Sequence, residues 1–193
     1  MSQEYTAPFE AGYYYHVYNR AIGNELLFYQ EENYLYFLKK YSDIISEHVE
    51  TYVYTLIPNH FHFLIRIPDE LENPEKTVSE RFRRFGISYS QSINKQQGRR
   101  GSLFMRPFKR KRVNSNEQLT TLIYYIHYNA VHHGIVKDLA NYQWSSYLSI
   151  VSNKKTQLER EKVLDWFGAM EQFISSHAFQ REVYSGIKDL VIE

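Results

Sequence analysis

The feature that most constrains the fold is a pair of short apolar stretches separated by two turn-forming residues. Residues 51–58 (TYVYTLIP) and 60–68 (HFHFLIRIP) are rich in β-branched and aromatic side chains, which favour strands. Pro58 and Asn59 lie at the junction between them. The two stretches are therefore predicted to form an antiparallel hairpin with a tight turn.

Strand and helix patterns alternate around this hairpin. The predicted elements are a strand at 13–20, a helix at 31–48, a basic helix at 75–97 and an extended segment or strand at 102–113. The order β-α-β-β-α-β is typical of an α+β fold, a ferredoxin-like antiparallel sheet with helices on one face. Beyond it, a strong helix is predicted at 115–134, with Ser115 as its N-cap and Gly134 as its C-terminal stop. One or two further helices are predicted at 156–190, where Trp166, Phe167 and Phe173 resemble a packing face.

The composition excludes several classes of protein. The chain has no run of about 18 apolar residues, so no membrane span is expected. Its first residues lack the basic-then-apolar pattern of a signal peptide. It contains no cysteine, which excludes disulfides, cysteine-based zinc sites and a thiol nucleophile. We therefore expect a cytoplasmic protein, either a monomer or a homodimer.

Two histidines in the second hairpin strand predict half of a divalent-metal site. His60 and His62 are two residues apart, so on a strand they project from one face. Phe61 and Phe63 then point to the opposite face and into a core. The alternative is two half-buried polar residues, because His-x-His alone is a weak motif.

A strongly basic segment predicts a polyanionic partner. Residues 81–116 hold eleven of the 23 basic residues and none of the 22 acidic ones. These basic residues are Arg81, Arg83, Arg84, Lys95, Arg99, Arg100, Arg106, Lys109, Arg110, Lys111 and Arg112. Aromatic residues lie among them, which favours single-stranded nucleic acid, whose bases stack on rings while Arg and Lys contact phosphates. A solvated basic surface with no partner is the alternative, and the four adjacent charges from Lys109 to Arg112 cannot all face one way.

The predicted helix at 115–134 carries a third set of candidates. Tyr125 and Asn129 are four residues apart, hence on one helical face, and His133 continues the stripe. A tyrosine hydroxyl can attack phosphorus, and an amide oxygen can be a third ligand to a hard cation. Position alone does not separate Tyr125 from Tyr124 or Tyr128, although only Tyr125 shares a face with the amide.

Four motifs in this order resemble the REP-associated tyrosine transposases, which belong to the HUH-endonuclease class of single-strand DNA transposases. They are YHVYNRAIGNELLF, PNHFHFLIRI, GSLFMRPFKRKRV and YYIHYNAVHHGIV followed by YQWSSY. The resemblance covers roughly residues 12–150 and implies a catalytic domain at 1–150 with a C-terminal helical extension at 151–193. One departure is Ala130, where the family often has proline; the pair His132-His133 is also unusual.

The resemblance also implies a mechanism. His60, His62 and Asn129 would bind Mg²⁺ or Mn²⁺, and Tyr125 would attack a DNA phosphodiester, leaving a 5′-phosphotyrosine link and a free 3′-hydroxyl. The substrate would be single-stranded DNA bearing hairpins formed by palindromic repeats. Contacts to DNA are expected from the basic residues named above, Lys95 excepted.

Two other functions remain open from the sequence. The first is a domesticated nucleic-acid-binding regulator that keeps the fold and has lost catalysis. The second is a metal-dependent hydrolase that activates water; Asp69 and Glu70 follow the histidine strand, but no general base is obvious near the histidines.

Overall fold

The fold is described here from a computed structural model, which covers residues 6–179. The strands are β1 (Tyr14–Arg20), β2 (Glu50–Ile57), β3 (His60–Arg66) and β4 (Lys109–Val113). The helices are α1 (Glu31–Ile44), α2 (Pro74–Gln96), α3 (Asn116–His132), α4 (Tyr147–Val151), α5 (Arg160–Phe167) and α6 (Met170–Phe179). The part of the predicted helical region from 180 to 190 lies outside the described residues.

The four strands form one antiparallel sheet in the order β2-β3-β1-β4. This is the strand order that a β-α-β-β-α-β chain adopts in a ferredoxin-like fold, so the predicted fold class is confirmed. The predicted hairpin is also confirmed, with Ile57 opposite His60 across the turn. β3 is a central strand, and its side chains therefore lie within a rigid part of the sheet.

The sheet carries helices on both faces. α1 and α2 cover one face, where Phe61, Phe63 and Ile65 of β3 join the larger apolar core. α3 covers the opposite face and packs on β2 and β3, where Leu64 joins a second core. The two helices of the β-α-β-β-α-β unit thus share a face as expected, and the later helix α3 forms a third layer.

Local signals fix the ends of α3. Ser115 is its N-cap, and its hydroxyl accepts a hydrogen bond from the Gln118 backbone N–H at 3.2 Å. Gly134 follows the helix with a φ of +67°, a left-handed conformation that glycine adopts without steric cost. Both residues were predicted in these roles. They set where α3 begins and ends.

Two predicted elements are shorter in the structure. The helix predicted to reach residue 48 ends at Ile44, because Ile45 turns into the core ahead of β2. The extended segment predicted from 102 forms a strand only from Lys109. Pro107 lies just before that strand and has no backbone N–H to donate to a sheet.

The C-terminal helices pack on the α3 side of the sheet. Trp166 of α5 stacks on Tyr52 of β2, with ring centroids 5.0 Å apart, and Phe167 contacts Phe173 of α6 at 5.0 Å. The predicted packing face is therefore present. Among residues 6–179, no helix is both long and apolar enough to span a bilayer.

Candidate active site

β3 presents the two candidate histidines to α3. His60 and His62 lie on the sheet face opposite Phe61 and Phe63, which are buried against α1 and α2. The rings of His60 and His62 are 5.0 Å apart between centroids. The alternation predicted from the sequence is therefore confirmed, and it brings both imidazoles to one side of a central strand.

α3 brings the predicted stripe to the same place. Asn129 is fully buried, and its Oδ1 lies 2.9 Å from Nε2 of His60. Tyr125, one turn earlier, lies against His62 with ring centroids 5.3 Å apart. His133, one turn later, is 4.8 Å from the His60 ring, whereas His132 is exposed and does not line this site.

The packing of α3 distinguishes its three tyrosines. Tyr124 turns away from the sheet and contacts Phe167 and His177. Tyr128 also turns toward α6, and its hydroxyl donates a hydrogen bond to the backbone oxygen of His177. Tyr125 alone of the three lines the cavity that contains His60 and His62. Of the three tyrosines that sequence position does not separate, Tyr125 is therefore the one placed beside the histidines.

Two buried polar contacts join α3 to α6 and to Ser146. His127 Nδ1 lies 3.0 Å from Nε2 of His177, and His127 Nε2 lies 2.9 Å from the Ser146 hydroxyl. Burial lowers the pKa of His177 to about 4 and that of His127 well below its usual range. Both rings are therefore neutral at neutral pH, and they hold the helix at a fixed rotation.

His16 is a site residue that the sequence analysis missed. Its Nε2 lies 2.8 Å from Nδ1 of His62, and both rings are buried. His16 is on β1, diagonally across the strand pair from His62. The signal in the sequence was the alternation of YYYHVYNR, which places His16 and Tyr18 on one face.

The imidazoles of His16, His60 and His62 are neutral at neutral pH. Burial is the main cause that lowers the pKa of His60 to about 4, with further lowering by nearby His133 and Arg20. Burial also lowers the pKa of His62 well below its usual range, and His16 and His60 add to the effect. The pKa of His16 falls to about 3 through burial and the charge of Lys111. Neutral imidazoles have a lone pair available for a metal.

The donor arrangement fits a divalent cation. The neutral ring of His60 has one N–H, yet both of its nitrogens face amide oxygens: Nδ1 faces Asn59 Oδ1 at 2.8 Å and Nε2 faces Asn129 Oδ1. One of these two contacts therefore has no proton, and a cation bound to both Nε2 and Asn129 Oδ1 would satisfy their lone pairs if it is the second. Their 2.9 Å separation also matches adjacent ligands of an octahedral ion, which are about 3 Å apart when each bond is about 2.1 Å.

His62 offers a further donor. Its Nε2 is buried and makes no hydrogen bond within the described structure. No group of three or more His, Cys, Asp or Glu side chains among residues 6–179 is arranged to hold a metal. A metal here would therefore need the amide of Asn129 in addition to the two imidazoles.

These groups line a cavity of about 270 Å³. The lining residues are Tyr18, Asn19, Arg20, Asn59, His60, His62, Met105, Lys109, Tyr125 and His133. None of these described lining residues is acidic, and two are cationic. Asp69, considered as a base for a hydrolase, instead pairs with Arg66 at the far end of β3, at 2.6 Å.

The four adjacent basic residues of β4 alternate between the two faces of the sheet. Lys109 and Lys111 pair with Tyr18 and His16 in the sheet and share the face of the histidines, whereas Arg110 and Arg112 lie on the other face. This alternation confirms that the four adjacent charges do not face one way.

Arg110 requires a correction to the predicted DNA contacts. It is buried, pairs with Glu75 at 2.7 Å and lies over the Phe9 ring at 4.5 Å. It is therefore a structural residue. Arg99 pairs with Glu25 at 3.2 Å, and Arg112 pairs with Glu10 at 3.3 Å while it covers the Tyr13 ring.

The remaining predicted contacts lie nearer the surface. Arg83, Arg84, Arg100 and Arg106 are exposed, and Arg81 is half-buried. Arg83 and Arg106 line a groove of about 760 Å³ between α2 and residues 101–110. Asn19 and Met105 line both this groove and the histidine cavity, so the two are adjacent.

The fold of the chain is similar to that of a solved structure. No protein-family model matches it, and no curated protein matches it in sequence. Among solved structures, that of a REP-associated tyrosine transposase bound to a REP hairpin matches with a TM-score of 0.63 at 18% sequence identity. The match covers 79% of this chain and 87% of that chain. The resemblance inferred from the sequence is thus borne out in the fold, and the chain has the fold of a REP-associated tyrosine transposase.

Proposed function

We propose that this protein is a metal-dependent tyrosine transposase that cleaves and rejoins hairpin-bearing single-stranded DNA. The observation that carries the proposal is the meeting of Tyr125, His60 and His62 at one cavity whose described lining residues include no carboxylate, with Asn129 in contact with His60. Tyr125 and Asn129 come from α3, and His60 and His62 come from β3. These two elements are far apart in the chain. The similar solved transposase is bound to a REP hairpin, which supports a hairpin as the DNA partner.

The metal would be Mg²⁺ or Mn²⁺, held by Nε2 of His60, Nε2 of His62 and Oδ1 of Asn129. A divalent cation bound there would act as a Lewis acid on a non-bridging phosphate oxygen. Asn59 fits this ligand set, because its Oδ1 lies 2.8 Å from Nδ1 of His60 and would accept the proton in the tautomer that leaves Nε2 free to coordinate.

Tyr125 would supply the nucleophile. Its oxygen would form a bond to phosphorus while the bond from phosphorus to the 3′ oxygen breaks. The tyrosine loses its proton, and the departing 3′ oxygen takes up a proton to become a hydroxyl. The product is a 5′-phosphotyrosine link. Attack by another 3′-hydroxyl reverses the step and joins new strands without an energy-rich cofactor.

The exposed cations beside the cavity would bind the DNA backbone. Arg83 and Arg106 line the groove that adjoins the cavity at Asn19 and Met105, and Lys109 lines the cavity itself. A strand leaving the cavity can therefore follow the groove while its phosphates contact cations. The apolar walls of the groove, such as Phe108 and Ile87, suit unpaired bases.

Covalent capture of DNA tests the proposal. A labelled hairpin oligonucleotide with single-stranded flanks is incubated with the protein and Mn²⁺, and the mixture is resolved under denaturing conditions. We expect a labelled protein–DNA adduct in the wild type that is absent without metal and absent in Tyr125→Phe. Tyr124→Phe and Tyr128→Phe are the matched controls, because they remove the same group from neighbouring positions that face α5 and α6.

Each outcome has a distinct meaning. An adduct that persists in Tyr125→Phe shows that Tyr125 is not the nucleophile. Hairpin binding without cleavage in any divalent metal indicates the domesticated regulator. Cleavage without an adduct indicates a hydrolase, which the cavity does not favour because none of its described lining residues is a carboxylate.

A further inference from the structure

His16 occupies a position that no step of the proposed reaction uses. Its Nε2 lies 2.8 Å from Nδ1 of His62 in a buried environment. The His16 ring also stacks on Tyr18 at 4.6 Å and on His62 at 5.0 Å between centroids. These contacts fix the position of the His62 ring relative to His16 and the orientation of its plane.

The contact with His16 determines which nitrogen of His62 can bind a cation. Nδ1 of His62 is occupied by His16, so only Nε2 can coordinate. Nε2 of His62 is buried and has no hydrogen-bond partner within the described structure. One proton lies between Nδ1 of His62 and Nε2 of His16. Which of these two nitrogens carries it decides whether Nε2 of His62 is protonated.

The proton has two arrangements with opposite consequences. If His16 donates, His62 carries its own proton on Nε2, which is then a buried N–H without an acceptor and is unable to bind metal. If His62 donates from Nδ1, its Nε2 presents a lone pair. A buried donor without a partner is costly, whereas a lone pair there is satisfied by a cation.

We infer that His16 is a positioning residue that accepts the Nδ1 proton of His62 and so holds His62 in the tautomer that coordinates through Nε2. The inference rests on the proposed metal site. Metal-binding histidines commonly donate their second N–H to a carboxylate or backbone carbonyl. Here a neutral imidazole from β1 takes that role.

Substitutions at His16 separate acceptance of the proton from simple packing. His16→Gln retains an amide oxygen at about the reach of Nε2, His16→Asn ends at the reach of Nδ1, and His16→Phe keeps a ring without an acceptor. Mn²⁺ affinity of the full-length protein is measured by titration calorimetry. We expect His16→Phe and His16→Asn to bind Mn²⁺ about 10–100-fold more weakly and His16→Gln within about threefold of wild type.

Two measurements keep the test independent of catalysis and of folding. The ¹⁵N chemical shifts of His62 in the metal-free wild type report its tautomer, and we expect the proton on Nδ1. Tyr41→Phe controls for destabilisation, because it removes a buried hydrogen bond to Thr51 on the other side of the sheet. Its Mn²⁺ affinity is expected to equal that of wild type.

The outcomes distinguish this inference from the proposed function. A proton on Nε2 of His62, or unchanged Mn²⁺ affinity in His16→Phe, overturns the role of His16 and leaves the metal site standing. Equal losses in His16→Gln and His16→Phe show that His16 acts by packing alone. A wild-type protein that binds no Mn²⁺ overturns the metal site and the inference together.

Discussion

Mild acid is expected to unfold this protein, because five histidines are wholly or largely buried in the neutral form. They are His16, His60, His62, His127 and His177. Burial is the largest cause of every lowered pKa in this set, and the values reach about 3 for His16 and about 4 for His60 and His177. Unfolding exposes all five rings to water.

The magnitude follows from the difference in bound protons. An exposed imidazole has a pKa of about 6.5, so below that pH the unfolded chain binds more protons than the folded one and the folded state loses stability. The five rings together remove about 4 kcal/mol by about pH 6 and about 7 kcal/mol by about pH 5.5. A domain with a typical stability of about 5–15 kcal/mol then unfolds between about pH 6 and pH 4.5.

Urea unfolding followed by circular dichroism at several pH values measures this loss. In His177→Gln the pH dependence should fall by about one fifth, because one of five protonation events is removed. Tyr41→Phe is the control and should lower the free energy of unfolding by about 1 kcal/mol at every pH. A wild-type free energy of unfolding that is the same at about pH 7.5 and pH 6 would refute the reasoning.

Three further predictions concern the cations and the metal. Arg110→Ala should lower the free energy of unfolding by about 2 kcal/mol, since it removes a partly buried pair with Glu75, and should leave the salt dependence of DNA binding unchanged. Urea unfolding measures the first effect, and binding titrations at several salt concentrations measure the second. In the same titrations, Arg106→Ala should reduce the slope of log affinity against log salt by about one, because it removes an exposed cation that is proposed to contact a phosphate. Mn²⁺ at about 100 times its dissociation constant should raise the free energy of unfolding of wild type by about 3 kcal/mol and that of His60→Ala by far less, as thermal or urea unfolding measures.

Local patterns in the sequence were sufficient for much of the site. Alternation along β3 placed His60 and His62 on one face, and the helical period placed Tyr125 and Asn129 on another. Both rules depend only on the geometry of one element. The meeting of the two faces required the additional knowledge that α3 crosses the side of the sheet opposite α1 and α2.

Contacts between distant segments could not be read from the sequence. His16 and His62 are 46 residues apart, and their hydrogen bond depends on the register between β1 and β3. Arg110 looks like its neighbours in a basic run, yet its strand face turns it toward Glu75 on α2. A charge count treats these arginines alike, whereas the sheet separates them.

The charge of the cavity gives a reason why such a site would bind phosphate. The three proposed ligands are neutral, so a divalent cation bound by them keeps both positive charges, and Arg20 and Lys109 line the same cavity. A carboxylate ligand would cancel part of that charge before a phosphodiester arrived. That positive potential would be available to a phosphodiester and to the negative charge that develops in the proposed attack by Tyr125. The lack of acidic side chains among the described lining residues supports this chemistry as strongly as the two histidines do.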